Sequence, residues 1–467
     1  MKKLIKLFSI ICICFLFLGC EKKDSNKNRI IPANEKHNMQ IWASGDEKIL
    51  EAFGKEFLSE NKVPGLTIDV VPFDSSIDLL NILVDEMAEG KGPDVIYTDG
   101  NWLAQNFKKL IPLPQDDLYN ISKFRSTFVR AASDTVIQNQ EIYGIPVGVD
   151  TLAIYYNEEH LIDHLPDRNQ PAKVWAEFRQ DTEKLSQSDN SFERFLVSGA
   201  AIGRVDNLNY GVEILENLMI QMGVKFFENN SQTALNKKGI DSKGNKKNFA
   251  EDAIQFFTSF ADPRFKNFSW SEFLANPNSE YKDFETFVKG KVSMVFGYSR
   301  DYQKIKNLIK EKKSLSGLSE KNLRVAFFPQ FQNPNQSNEK ELIGKIRVLS
   351  VPKNSKYPKI SWDFLKFVAK KDNIRSFHEA TDLPTSRLDL ISEQEAKPHI
   401  GIFVRQAKFA RTHFLPIKMD LFKDGLSQLI SDINSGKISI EQSLKNLSNK
   451  WNNVLKKKQQ IEKIINS

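Results

Sequence analysis

Carboxylates, an amide, a guanidinium and aromatic rings recur in this chain just past the ends of predicted strands. Asp46 follows Met39-Gln-Ile-Trp-Ala; Asp99, Asn101 and Trp102 follow Asp94-Val-Ile-Tyr97; Tyr298 and Arg300 follow Lys291-Val-Ser-Met-Val-Phe296. Asp150 stands alone as an acid inside the apolar extended run from Tyr143 to Asn157. Groups of these kinds hold a small polar molecule without reacting with it. Acids, amides and guanidiniums satisfy hydroxyls, and rings stack on C–H faces. An open α/β sheet offers such groups where loops leave the carboxyl ends of its strands. Each residue also has a plainer use: Asp46 as a helix N-cap, Asp99 and Asn101 as a polar turn, Trp102 as the anchor of the next helix. Trp270 and the pair Asp206-Asn207 are further candidates, in a helical stretch whose depth the sequence leaves open.

Signatures of catalysis are missing. Gly90-Lys-Gly92 lacks the spacing of a phosphate-cradling loop. His160 and His164 have i,i+4 spacing but no Glu follows the first, so a zinc protease helix is not formed, and a surface helix is the better reading. Asp116-Asp117 and Glu158-Glu159 are adjacent in sequence and do not converge on one glycosidic bond. No Gly-x-Ser-x-Gly elbow occurs. The expectation from these residues is no catalytic motif, no cofactor and no metal.

The elements that must position these groups alternate. Strands at Met39–Ala43, Leu66–Pro72 and Asp94–Tyr97 are separated by amphipathic helices, the first carrying Ile49, Leu50, Phe53 and Phe57 behind Asp46, the second starting at Asp74. That order predicts parallel βαβ units and an α/β fold. The stretch 143–157 is too long for one buried strand. Residues 172–290 read as mainly helical, broken by a polar segment at 228–248. Strands return at 291–296 and 324–329, a surface loop spans 332–340, and from Ser361 the pattern is helical to the end.

The N-terminus is equally informative. Lys2, Lys3 and Lys6 precede an apolar run ending in Leu16-Phe-Leu-Gly-Cys20, the layout of a secretory signal peptide. The run is shorter than the roughly 20 residues of a membrane span. Its close resembles the bacterial lipobox, which implies a signal peptide at 1–19, a lipid on Cys20 and a polar tether over 20–37. All three cysteines lie at or before Cys20, so the mature chain can build no internal disulfide and no thiolate metal site. The net charge of +7 over 467 residues, part of it in the leader, makes no case for nucleic acid. The clusters around Lys310–Lys313 and Lys456–Lys458 read as solvated faces.

Six segments in order resemble the extracellular solute-binding proteins of bacterial sugar ABC importers, the maltose-binding type. They are Ile41-Trp-Ala-Ser-Gly-Asp46; Gly92-Pro-Asp-Val-Ile-Tyr97 with Leu110-Ile-Pro-Leu113; Tyr143-Gly-Ile-Pro146 through Tyr155-Tyr-Asn157; Phe287-Val-Lys-Gly-Lys-Val-Ser-Met294 with Gly297; Leu383-Pro-Thr385; and Ser435-Gly-Lys-Ile-Ser-Ile440. The resemblance implies a two-lobed periplasmic-binding-protein-like fold of type II, with a hinge and a cleft between the lobes. It implies chain crossings near Val149-Asp150, Gly297-Tyr298 and Val351-Pro352. One lobe would then hold 38–149 and 299–350, the other 150–298 and 351–467.

The resemblance further implies a non-enzymatic, monomeric receptor on the outer face of the membrane, handing a sugar to an ABC permease with a separate ATPase. Asp46, Asp99, Asn101, Trp102, Asp150, Tyr298 and Arg300 would line its cleft. Thr98 stands where the maltose-binding pattern carries a stacking Trp, a departure that counts against maltodextrin and not against sugars. Three alternatives stay open: the same fold binding a polyamine or other small solute, a polysaccharide-acting surface enzyme, and a glycan adhesin.

Overall fold

The computed structural model describes residues 36–116, 119–189, 195–241, 243–311, 317–331 and 340–465. The leader, Cys20 and the tether to residue 35 lie outside these, as do Asp117, Lys312-Lys313 and residues 332–339 of the expected surface loop.

In chain order the main strands are β1 (His37–Ala43), β2 (Leu66–Pro72), β3 (Val95–Asp99), β4 (Ile145–Asp150), β5 (Ala153–Asn157), β6 (Gln187–Ser188), β7 (Phe195–Ala200), β8 (Val292–Gly297), β9 (Leu323–Ala326) and β10 (Lys345–Ser350). They form two five-stranded sheets, ordered β2-β1-β3-β10-β4 and β9-β5-β8-β7-β6. In the first sheet β1 pairs in parallel with β2 and β3, and β10 is antiparallel to both its neighbours. In the second, β8 is parallel to β7, and β5 runs antiparallel to β8 and β9.

The principal helices are α1 (Glu47–Asn61), α2 (Ser76–Ala88), α3 (Gly100–Asn106), α4 (Glu158–His164), α5 (Gly211–Gln221), α6 (Asp301–Glu311), α7 (Pro358–Val368), α8 (Lys371–Thr381), α9 (Met419–Asn434) and α10 (Ile440–Ile465). They cover the sheets, which is why β4, β5 and β8 are buried along their whole length and read as continuous apolar runs. Helix α1 turns Leu50, Phe53 and Phe57 inward at helical spacing, onto Phe364 and Phe367 of α7. The cap of α2 is Ser75, whose hydroxyl accepts from the Asp78 N–H, one residue past the expected Asp74.

The extended stretch 143–157 divides into β4 and β5, one in each sheet, so the first crossing lies at Thr151-Leu152, beside its expected place. The other two crossings move. After Gly297 the chain stays with the second sheet, because β9 pairs with β5 from Leu323↔Asn157 to Ala326↔Ile154. It crosses to the first sheet only between β9 and β10. After β10 it remains there: Phe377 of α8 packs edge-on to Tyr97, and His378 Nε2 meets the Val147 carbonyl at 2.7 Å. The return follows residue 407, and α9 and α10 join the second lobe through Phe422 and Trp451, stacked 5.1 Å apart. The expected boundaries 299–350 and 351–467 are corrected accordingly. The physical reason is that an apolar period names a buried face without naming the sheet that buries it.

Three strands escaped the sequence reading, β6 among them, at Gln187–Ser188 in the stretch read as helical. Strand β7 lies inside the stretch read as helical, and β10 lies in a stretch given no assignment. The polar segment near 228–248 forms two small hairpins; the first is tied to α10 by the Thr233 N–H on Asn452 and by Phe227 against Trp451. None of the described helices is long and apolar enough to cross a membrane.

Candidate ligand cleft

The carboxyl ends of β1 and β3 in the first sheet and of β8 in the second meet at the first crossing. Gly45 and Asp46 both take left-handed backbone angles, with φ of 87° and 65°. For Asp46 this is a strained choice that a surrounding structure must enforce. It turns the side chain away from its own helix, so the expected cap hydrogen bond is not made. Instead Asp46 accepts from the Tyr97 hydroxyl at 2.5 Å and from Arg300 Nη2 at 2.5 and 2.7 Å. Two expected site residues, one from each lobe's loop, are thus joined directly. Burial pushes the Tyr97 phenol up to about 12.

Asp150 sits beside them and is used differently. It is buried, and its oxygens accept from the Ser299 N–H, the Ser299 hydroxyl at 2.7 Å and the Thr151 N–H at 2.9 Å. Burial raises its carboxyl to about 6 against the pull of those donors. The acid in the apolar run is therefore a tie between the first crossing and the loop after β8, with its acceptor sites already filled.

Tyr298 is half-buried on that same loop. Its N–H donates to Asp301, its ring meets Tyr210 edge-on at 5.0 Å, and the Lys345 ammonium lies 5.0 Å from the ring centroid. Its hydroxyl is raised well above the usual range, first by burial and then by Glu213 and Glu216. Asp99 caps α3 by accepting from the Asn101 N–H at 2.8 Å. Trp102 is 9% exposed and packs in the first-lobe core, so it anchors α3 rather than offering a stacking face. Trp270 is fully buried with its indole N–H on Asn207, and Asp206 pairs with Arg204. Trp270 and Asn207 are taken up in packing and Asp206 in its surface ion pair.

Several residues around this junction were not singled out from sequence. Arg347 lies on β10 opposite Asp99, stacks over the Tyr97 ring at 4.3 Å and donates to the Ser44 carbonyl. On the second lobe, Glu213 pairs with Lys423 at 2.6 Å and Glu216 with His413 at 2.8 Å. The available signal was Glu213 and Glu216 interrupting the apolar face of α5, made by Val212, Ile214, Leu215, Leu218 and Met219. An acid held among buried neighbours needs a partner. Among the described residues no set of His, Cys, Asp and Glu could hold a metal ion; His160 and His164 are taken by Ser293 and Gln187. The arrangement joins rings, guanidiniums and carboxylates at a crossing between the sheets and, among the described residues, presents no pair of free acids across one bond. It suits capture.

Known proteins share this architecture. The chain is 24% identical over 453 residues to the maltodextrin-binding protein MdxE of Bacillus subtilis, covering 93% of this chain and 94% of that one. The sugar-binding protein MalE of Xanthomonas citri superposes with a TM-score of 0.71 at 16% identity, covering 91% of this chain and 99% of its own. The GacH receptor of Streptomyces glaucescens, described unliganded and with acarbose, gives 0.65 at 19% identity, covering 90% of this chain and 99% of its own. At these identities the solved structures establish the two-lobed type II fold. A family model for bacterial extracellular solute-binding proteins matches residues 48–402. The chain belongs to that family, extracytoplasmic proteins that bind a solute rather than convert it.

Proposed function

We propose that this protein is the substrate-binding component of an ABC importer, capturing a sugar or oligosaccharide in the cleft between its lobes and delivering it to a membrane permease served by a separate ATPase. The observation that carries the reading is the junction of Asp46, Arg300 and Tyr97 with the Tyr298 ring at the crossing between lobes. It combines hydroxyl-binding groups with an aromatic face at a crossing between the lobes, where closure would bring them onto a ligand. The relatives named for maltodextrin, sugar and acarbose support the carbohydrate class. In this reading residues 1–19 are a signal peptide, Cys20 carries the lipid, and the protein works as a monomer on the extracytoplasmic face of the membrane. Ligand bridges both lobes, binds the closed form better and so populates it.

A thermal-shift screen against sugars, polyamines and amino acids tests this. A ligand at a hundredfold excess over its dissociation constant stabilises the fold by about 2.7 kcal/mol. The expected result is a raised melting temperature with one sugar or a close series. A response to polyamines alone would overturn the carbohydrate assignment and leave the receptor.

A further inference from the structure

Arg347 stands at the cleft edge of the first sheet, in register with Asp99 of β3 and Gly148 of β4. One face of its guanidinium is covered by Tyr97, and Nη2 donates to the Ser44 carbonyl at 3.0 Å. Its Nε is buried and has no acceptor among the described residues. Arg300, on the other side of Asp46, repeats the pattern: Nη2 is held by Asp46 while Nε is buried and unmatched. A buried donor left without an acceptor costs about 1–3 kcal/mol, more when it is charged. Native structures leave such groups chiefly where water, an ion or a ligand completes them.

The charges around these donors do not complete them. Asp46 is engaged by Arg300 and Tyr97, and Asp99 gives Oδ1 to the Asn101 N–H. Arg347 and Lys345, two residues apart on β10, have no carboxylate within ion-pair distance among the described residues; Lys345 rests on the Tyr298 ring instead. On the facing lobe the acids Glu213 and Glu216 are matched by Lys423 and His413. The cations without an ion-pair partner therefore lie on the first-lobe wall, on Arg347 and Lys345 of β10.

We propose that this wall holds an anionic group of the bound solute, a carboxylate or a phosphate, on the guanidinium of Arg347. The assignment rests on the sugar-receptor reading and narrows it: the ligand is an acidic carbohydrate, seated with its charged end on the first lobe and its hydroxyls towards the second. A guanidinium fork matches two anionic oxygens in one plane, which an ammonium does not. Arg347 is then the residue that separates acidic sugars from their neutral parents.

Titration calorimetry on the purified chain tests this with uronic-acid-bearing and phosphate-bearing mono- and disaccharides, each beside its neutral parent. The two arms distinguish a carboxylate from a phosphate. The expected result is that an acidic member binds at least about tenfold more tightly than its parent, with the preference weakening as salt rises. Arg347→Gln is expected to abolish the preference and Arg347→Lys to retain part of it. Should Arg347→Gln fail to fold, the native pair comparison and the Lys variant decide. Neutral parents binding as tightly as acidic members overturn the assignment and leave a sugar receptor standing. A preference surviving in a folded Arg347→Gln variant overturns the role of Arg347. Absence of binding by any carbohydrate overturns both this assignment and the sugar reading.

Discussion

Asp46 shows how one residue can be identified correctly for an incomplete reason. Its spacing fits a helix cap, and it does precede α1, yet its side chain serves Tyr97 and Arg300. Asp46→Ala would leave a guanidinium and a phenol without their acceptor at the proposed ligand position. The expected outcome is a loss of sugar affinity of about tenfold or more, by calorimetry, with Asp46→Asn losing less because it still accepts from Tyr97. Asp150 makes a separate prediction. Its carboxyl is raised from 3.8 to about 6, so the folded chain holds a proton that the unfolded chain has released between those values. Its contribution to stability therefore falls as pH rises through that window, by about 3 kcal/mol for two units. Denaturation of the native protein and Asp150→Asn from pH 4 to 7 checks this: their stability difference should change with pH across that window, and parallel curves would contradict it. That acid was noticed because it interrupts an apolar run. Its use as a tie was not legible, because Ser299 lies far from it in sequence.

At the scale of elements, what was readable followed from local pattern and what was missed followed from partnership. Buried faces at period 3.6 gave α1 and α10, and apolar runs gave β3 and β8. The length of 143–157 was legible as too much for one buried strand, but its reading as a crossing came from the family resemblance, and the break between β4 and β5 was not foreseen. The partner of β9 was not, since a four-residue edge strand fits either sheet. Nor was Arg347, whose role depends on β10 lying between β3 and β4. The loop after β8 is where local geometry is tightest. A Cβ on Gly297 would lie 2.9 Å from the Tyr155 ring and 3.1 Å from Asp301 Oδ2. The Tyr155 hydroxyl meanwhile donates to the Tyr298 carbonyl at 2.7 Å, holding the loop that carries Tyr298, Ser299 and Arg300. Gly297→Val should overpack this corner, costing about 1–3 kcal/mol in urea denaturation, with a parallel loss of ligand affinity. Unchanged stability would show that the corner yields easily and does not fix the site.

Across the whole molecule, the cleft is made by three strand ends that the chain visits far apart: residues 43–46, 97–99 and 297–300. The chain builds two distinct sheets, and the crossings between them are few, which is the construction that permits hinge closure. Salt bridges at the rim contribute little to stability, whereas the Asp46–Arg300 pair spans the loops of both lobes and so reports their approach. No cysteine follows Cys20 in the sequence, so labels introduced at Asp74 and Phe273, exposed residues of the first and second lobes, can be attached cleanly to a chain that starts after Cys20. The measurement that bears most directly on capture by closure is the spin–spin distance between those two labels, with and without the sugar that raises the melting temperature. A shift to a new, narrower distance distribution on saturation is the predicted result. An identical distribution with and without a saturating sugar would contradict it.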